Sequence, residues 1–547
     1  MKGFRLPLIV ALLAVLPFLG GLGGAFLTEW DDGGFVTQNA GLIPDWEHVK
    51  KLATSNLQTV YTPLTSFSLL FDRTVFGLNP AGFHFHNLVL FALVAAALCQ
   101  IGRELALKPA VAAAITLGWA YNPAKVESVV WISERKTLLA AALLGWSTVW
   151  MLRSFRKRRP SFAAPLLLAL APLAKAVALP GAVIAPLYSW NRRPGRLRQN
   201  LFFAAPYLVA GAAAGILITS VTFTELTSRQ SVSPLSCLTL FLRYLGAAVL
   251  PFDLNPIHPA GETPVAAMAA GVITLLLFGL MFNYSGMPRR LLYSFAAIYL
   301  AMLAPVLGSG AFTNADYADR YNFIPSAVLW IFGGVLFQRL GGKVPLRLSK
   351  VIYLYIGCGA LASFCYVPVY CDSAALFSSA AAVDKPNLKA AEGLMLVGFN
   401  RENPELLTFA AAAFDRQSGN FTARNMATAA RAKAAHLREN FTATLDMLNF
   451  LEEEPLPPLY SAEIYYPALF SAAVDAALRT GNVPRAVKLL KKQQQLQLGN
   501  RFDLHFNAGL LALLEHDKPR AAAEWQKALE LRPDDLKLKT NLDAVSR

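Results

Sequence analysis

The sequence predicts an all-α protein in two parts: a polytopic transmembrane helical bundle over residues 1–371 and an α-solenoid of helical repeats over 372–547. Three observations carry this. Hydrophobic residues make up 55% of the 547 and mean hydropathy is +0.41, too apolar for an ordinary soluble enzyme. Apolar runs long enough to cross about 30 Å of hydrocarbon recur through the first two thirds. From about residue 385 they give way to Ala-rich, charged, helix-favouring sequence with little β-branched content.

In order, the runs fall near 5–27, 83–101, 106–121, 137–152, 161–175, 176–190, 200–220, 264–284, 291–308, 324–338 and 350–370, which predicts about eleven spans. The first follows Lys2 and Arg5 as a signal peptide would. With many such runs behind it, it is expected as an uncleaved first span. The pair at 161–190 is closely spaced and bends at Pro172 and Pro180. The run 235–250 carries Arg243 in its middle, which suggests a re-entrant or interfacial helix with both ends on one side.

Charge orients these runs. Residues 1–371 hold 29 of the 50 Lys and Arg and 14 of the 35 Asp and Glu, whereas 372–547 is balanced at 21 of each. The net charge of +15 therefore belongs to the apolar part, where bases mark cytoplasmic loops, and nucleic acid is not expected as a partner. Alternate loops collect 19 of those 29 bases: Lys2, Arg5, Arg103, Lys108, those of 153–159 and 192–198, Arg289, Arg290, and those of 339–350. Glu104 is the single acid among them. A membrane protein with a cytoplasmic N-terminus is expected, with Asp31, Asp32 and the C-terminal part on the periplasmic side.

The tail reads as tetratricopeptide-like repeats. Gly509, Ala521, Trp525, Ala528 and Pro533 fall on the small, small, aromatic, small and proline positions of a 34-residue helix pair, and Gly481-Asn482 with 486–490 repeat about 35 residues upstream. Four or five helical hairpins are expected, forming a surface that either engages an acceptor protein or only stabilises the membrane part.

The polar residues of the apolar part sit mainly at helix ends on the outward side. Asp31 and Asp32 open the first outer loop, which continues through Tyr61 to His84. The pair reads either as solvated loop acids or as an active-site edge with a catalytic base. The second loop, 122–136, holds Lys125, Glu127, Glu134, Arg135 and Lys136. Lys175 and the stretch Asp316, Tyr317, Asp319, Arg320, Tyr321 join the same face. Glu127 and Arg135 read either as a structural ion pair or as site residues. Cations gathered there fit a lipid-linked phosphate, to which guanidinium and ammonium groups donate strongly. His84 and His86, two apart, cannot share a helix face as a metal pair. The five cysteines lack metal-ligand spacing and read mostly as small buried side chains. No nucleotide loop or Ser-His-Asp pattern stands out, so no nucleotide cofactor is expected and no metal is indicated.

Together, Trp30-Asp31-Asp32 with Asn39, Tyr61-Thr62-Pro63-Leu64, residues 76–84, residues 122–136, Leu173-Ala174-Lys175, Tyr244-Leu245 through Pro251 to Leu254, and Ala318-Asp319-Arg320-Tyr321 resemble the transmembrane and tetratricopeptide-repeat O-mannosyltransferases and their bacterial relatives, which are GT-C glycosyltransferases. The resemblance spans the membrane part and the repeat tail. It implies an inverting transfer of a monosaccharide from a polyprenyl-phosphate donor to a protein or other extracytoplasmic hydroxyl, with a catalytic acid residue in the first outer loop, matching Asp31 and Asp32. It implies donor-phosphate contacts from Arg135, Lys136, Lys175 and Arg320. Tyr61, His84, Glu127, Asp319 and Tyr321 are the further substrate-site candidates. The chain departs from the family pattern at Asn122, where His is frequent, and at Ala176, where an acid is. The competing expectation is a non-catalytic membrane scaffold whose repeats recruit envelope-assembly partners.

Overall fold

The computed structural model describes residues 5–56, 61–222, 233–259, 264–307, 317–341, 346–417 and 419–546. Among them the chain is all-helical, with no strand. It divides into two compact units, Met1–Leu376 and Phe377–Arg547.

Among the described residues of the first unit, eight helices are long and apolar enough to cross a membrane: Arg5–Gly23, Pro80–Glu104, Ile132–Lys157, Leu197–Thr222, Val265–Ser285, Arg289–Val306, Asp319–Leu340 and Lys350–Tyr370. The remaining expected runs are built differently. Pro109–Ala120 has 12 residues, about 18 Å at 1.5 Å per residue, short of a full crossing. The run 161–190 breaks into Ala163–Ala174, a 3₁₀ stretch Ala176–Val183 and Ile184–Arg192. Pro172 and Pro180, the residues that predicted a bend, lie inside the first two pieces. Pro234–Ala247 is a 14-residue helix with Arg243 buried on it.

Burial separates an inner ring from an outer one. The Pro80–Glu104 and Ile132–Lys157 windows are 67% and 61% buried, against 28% for Leu197–Thr222, 22% for Val265–Ser285 and 11% for Lys350–Tyr370. The outer helices leave Phe202, Val209, Ile216, Leu275 and Leu354 exposed, a surface suited to hydrocarbon and not to water. The cysteines follow the same division: all five are free, and of them Cys99 is buried while Cys358 and Cys365 face outward.

Two glycines set the closest helix crossing. A Cβ on Gly271 would lie 2.1 Å from the Leu242 carbonyl oxygen, and one on Gly246 would lie 2.8 Å from that of Ala267. Val265–Ser285 therefore rests directly on the backbone of Pro234–Ala247.

The second unit is a succession of helices, each packed on the next, from Leu388–Asn400 to Leu536–Ser546. Asn387, Asn403, Asn420, Asn440, Asn482, Asn500 and Asp517 cap their helices by accepting from first-turn N–H groups. Small residues let the helices approach: Trp525 is buried against Gly509, where a Cβ would lie 2.4 Å from the indole, and its Nε1 donates to the Phe506 carbonyl at 3.0 Å.

Candidate functional site

The segment 122–136, expected as an outer loop, is folded into the protein. Asn122 stops the preceding helix and accepts from Ala124 N, while its amide donates to the carbonyls of Ala247 at 2.9 Å and Ala248 at 3.2 Å. Short helical pieces follow at Pro123–Lys125, Val126–Val130 and Ile132–Glu134, and the long helix Arg135–Lys157 begins there. Lys125, Glu127, Ser133, Glu134 and Arg135 are all buried. Buried charges persist only when paired, and these are paired with groups brought from distant parts of the chain.

Trp131 lies at the centre. Trp30 meets it edge-on with centroids 5.5 Å apart, and the Lys136 ammonium and Arg320 guanidinium lie 5.6 and 5.5 Å from its ring. Glu134 joins three cations: it forms an ion pair with Lys175 and lies 3.6 Å from Lys136 Nζ and 3.9 Å from Arg320 Nε. The Thr137 hydroxyl donates to Glu134 and accepts from Lys175 Nζ at 2.6 Å. Glu127 holds Arg320 through its guanidinium and through its backbone N–H at 2.8 Å. Tyr321 lies under Arg320 and Lys175, 4.8 and 5.7 Å from its ring. Lys175 reaches this point because the chain is extended there, between Ala163–Ala174 and Ala176–Val183.

The adjacent acids of the first loop diverge. The Asp31 side chain is 41% exposed and lies 3.9 Å from Lys136 Nζ. Asp32 is fully buried: Oδ2 accepts from Leu27 N at 2.9 Å, and Oδ1 accepts from Ser133 N at 2.9 Å and from the Ser133 hydroxyl. Burial pushes the Asp32 carboxyl up to about 6, against the lowering effect of those hydrogen bonds and with a small further rise from Asp31. Burial also raises Glu127, with Arg320 opposing. Asp31 thus stands at the accessible edge of the cluster, while Asp32 fixes the loop to Ser133.

Four other expected site residues turn elsewhere. Arg135 is fully buried in an ion pair with Asp72, and it donates to Asn87 Oδ1 and the Phe83 carbonyl, each at 2.8 Å. It pairs with Asp72 where a Glu127 partner had been one expectation; Glu127 pairs with Arg320. Tyr61 donates to the Ala53 carbonyl at 2.8 Å. His84 is buried, with Nε2 3.0 Å from where a Cβ on Gly24 would lie. Asp319 faces a second cluster, accepting from the Tyr317 hydroxyl at 3.0 Å and lying 3.5 Å from His258 Nε2. Asp316 of the same stretch, with Lys2 and Lys343 of the basic loops, lies outside the described residues.

The second cluster was not anticipated from the sequence, in which His258 had no assigned role. Arg243 stacks on Tyr317 at 3.7 Å, pairs with Asp253 and lies 2.7 Å from His258 Nδ1. His258 is held above its ordinary value because Asp253 and Asp319 outweigh the desolvation that burial imposes. Lys125 donates to the Ser326 hydroxyl at 2.8 Å, and burial lowers it to about 7, partly offset by Asp319. The sequence signals for this cluster were an arginine in an apolar run and the separate stretch holding Tyr317 and Asp319, with nothing to say that the two meet. For Trp131 and Glu134 the signal was the density of charge around them, which does not say which acid faces which base. Among the described residues, no three His, Cys, Asp or Glu side chains gather as metal ligands.

In this arrangement Lys136 is the least committed cation. Its ion-pair contacts, at 3.6 and 3.9 Å, exceed hydrogen-bond length, and its side chain keeps 13% exposure. The fold and the cluster together define an all-helical protein with apolar spans that gathers acids, bases and aromatics at the ends of several of them. Comparison with family models, characterised proteins and solved structures finds no match for this chain.

Proposed function

We propose that the protein is a polytopic inner-membrane glycosyltransferase of the GT-C type, moving a monosaccharide from a polyprenyl phosphate to a hydroxyl of a protein, or other extracytoplasmic acceptor, at the periplasmic face. The observation that carries this is the exposed Asp31 beside the loosely paired Lys136, on a Trp131 floor shared with Arg320. Lys136 and Arg320 offer donors to the sugar phosphate, and Lys175 holds Glu134 in place between them. Asp31 takes the proton of the acceptor hydroxyl. The hydroxyl oxygen then attacks the anomeric carbon opposite the phosphate, the carbon–oxygen bond to the phosphate breaks, and polyprenyl phosphate leaves with its new charge facing the two cations. Asp32, whose oxygens are occupied by Leu27 and Ser133, positions Asp31. The helical hairpins of the second unit are assigned as a tetratricopeptide-like periplasmic solenoid that engages the acceptor protein.

The test is incubation of the purified protein with a panel of polyprenyl-phosphate sugars. One sugar is expected to be consumed, and Asp31→Asn is expected to slow its transfer by about 10²–10⁴-fold with the fold intact, the usual range for a lost general base. Undiminished transfer by Asp31→Asn would remove the base from the mechanism, and no consumption of any donor would remove the reaction.

A further inference from the structure

At the end of the bundle away from this cluster lies a cavity of about 610 Å³ that the proposed reaction does not use. The helices that border it show its placement. Pro80–Glu104, Arg135–Lys157 and Phe323–Leu340 begin beside the charged cluster, and the cavity is lined by their distal turns, at Ile101, Met151 and Gln338. It extends inward to Trp119 and Phe323, both fully buried, which close it next to Lys125, whose ammonium lies 5.7 Å from each ring. Its volume is within the roughly 300–1,000 Å³ of a small-molecule site.

Its chemistry is divided along its length. The inner walls are aliphatic, with Leu98, Leu144 and Ile331. The mouth carries Arg192, Arg290 and Arg339, all exposed. Among the described residues no carboxylate forms an ion pair with any of the three, whereas Glu104, the acid at the rim, is taken by Arg153 and Arg156. An apolar chamber inside a membrane-spanning bundle, opened by unpaired guanidinium groups, is complementary to an amphipath with an anionic head and a hydrocarbon tail.

We propose that this cavity binds an anionic glycerophospholipid, with an acyl chain in the chamber against Trp119 and Phe323 and the phosphate on Arg192, Arg290 and Arg339. The inference does not depend on the sugar-transfer reading, because it concerns the other end of the helices.

The test uses the full-length protein in nanodiscs and native mass spectrometry of retained lipid. Phosphatidylglycerol is expected to be retained over phosphatidylcholine by at least roughly tenfold, since each basic residue near a membrane surface attracts anionic lipid appreciably. Replacing all three arginines by Ala is expected to erase the preference. Arg290→Gln alone is expected to weaken it and serves if the triple variant does not fold. Ala327→Trp, which fills the chamber, is expected to reduce retention while the arginines remain. Equal retention of the two lipids by the unaltered protein would overturn the proposal. So would a preference that survives loss of the arginines, or one abolished only by Arg153→Ala with Arg156→Ala, which would place the lipid on the neighbouring basic pocket. Competition by glycerol phosphate as effective as by the lipid would mark a free-phosphate site, and retention unchanged by Ala327→Trp would exclude the chamber.

Discussion

Asp31 and Asp32 are one residue apart and differ in what each oxygen touches. Asp31 keeps solvent and one distant cation; Asp32 takes three hydrogen bonds inside the protein. Because the folded carboxyl of Asp32 titrates near 6 and a free one near 3.8, the folded state binds the extra proton between those values. Stability from this group is therefore fully present below about 3.8 and is lost as pH rises through about 6, an effect on the order of 3 kcal/mol. The expected result is a thermal midpoint that rises when pH is lowered from 7.5 to 5. Asp32→Asn is expected to reduce that slope, leaving the contribution of Glu127, whose shift has the same sign. A slope unchanged in Asp32→Asn would show that the carboxyl is already ionised at no cost. The same contrast separates Arg135 from Lys136. The first is sequestered by Asp72, Asn87 and Phe83, and the second has only the longer contacts to Asp31 and Glu134, at 3.9 and 3.6 Å.

At the scale of elements, the cluster is assembled by interruptions in helices. The chain extends at Lys175, the segment 122–134 folds as short turns between two helices, and Arg320 sits in a 3₁₀ turn ahead of Phe323–Leu340. Each leaves backbone groups outside the helical pattern, and side chains satisfy some of them: Asn87 donates to the Val129 and Trp131 carbonyls, Thr65 donates to that of Ala174, and Glu127 accepts from Arg320 N. The Gly246 and Gly271 crossing supports this assembly, because Pro234–Ala247 also carries Tyr244, whose carbonyl receives the Asn322 amide. Gly271→Ala places a methyl group against backbone that cannot rotate away. A loss of about 1–3 kcal/mol is expected, measured by unfolding in detergent, the usual scale of overpacking. Gly279→Ala on the same helix, where a Cβ meets nothing within 4 Å, is the control expected to be neutral.

At the scale of the molecule, each unit has its own core. The second unit buries Ala- and Leu-rich helix faces and closes with Trp525, Ala528 and Leu538. Residues 377–547 expressed alone are expected to give a helical circular dichroism spectrum and a cooperative melt, with Trp525→Ala costing about 3–5 kcal/mol, as for large core truncations. A fragment without a cooperative melt would mean that this core needs the membrane unit.

Much of the plan is legible in the sequence. The apolar runs that became the eight long helices, the bend near Pro172 and Pro180, and the change of character near residue 385 all follow from local composition and from proline's missing N–H. Asp31, Lys136, Lys175, Arg320 and Tyr321 were legible as site candidates because charge next to apolar spans is costly and demands a reason. Partner choice was not legible. Whether Arg135 faces Glu127 or Asp72, and whether Asp31 or Asp32 keeps access to solvent, depends on helix rotation and on contacts between residues tens to hundreds apart. The sequence by itself determined which segments are helical, apolar or charged, because those properties are local. Tertiary structure alone decided which charges meet, which are sealed away, and where an apolar chamber opens among arginines, because pairing and burial are properties of packed neighbours.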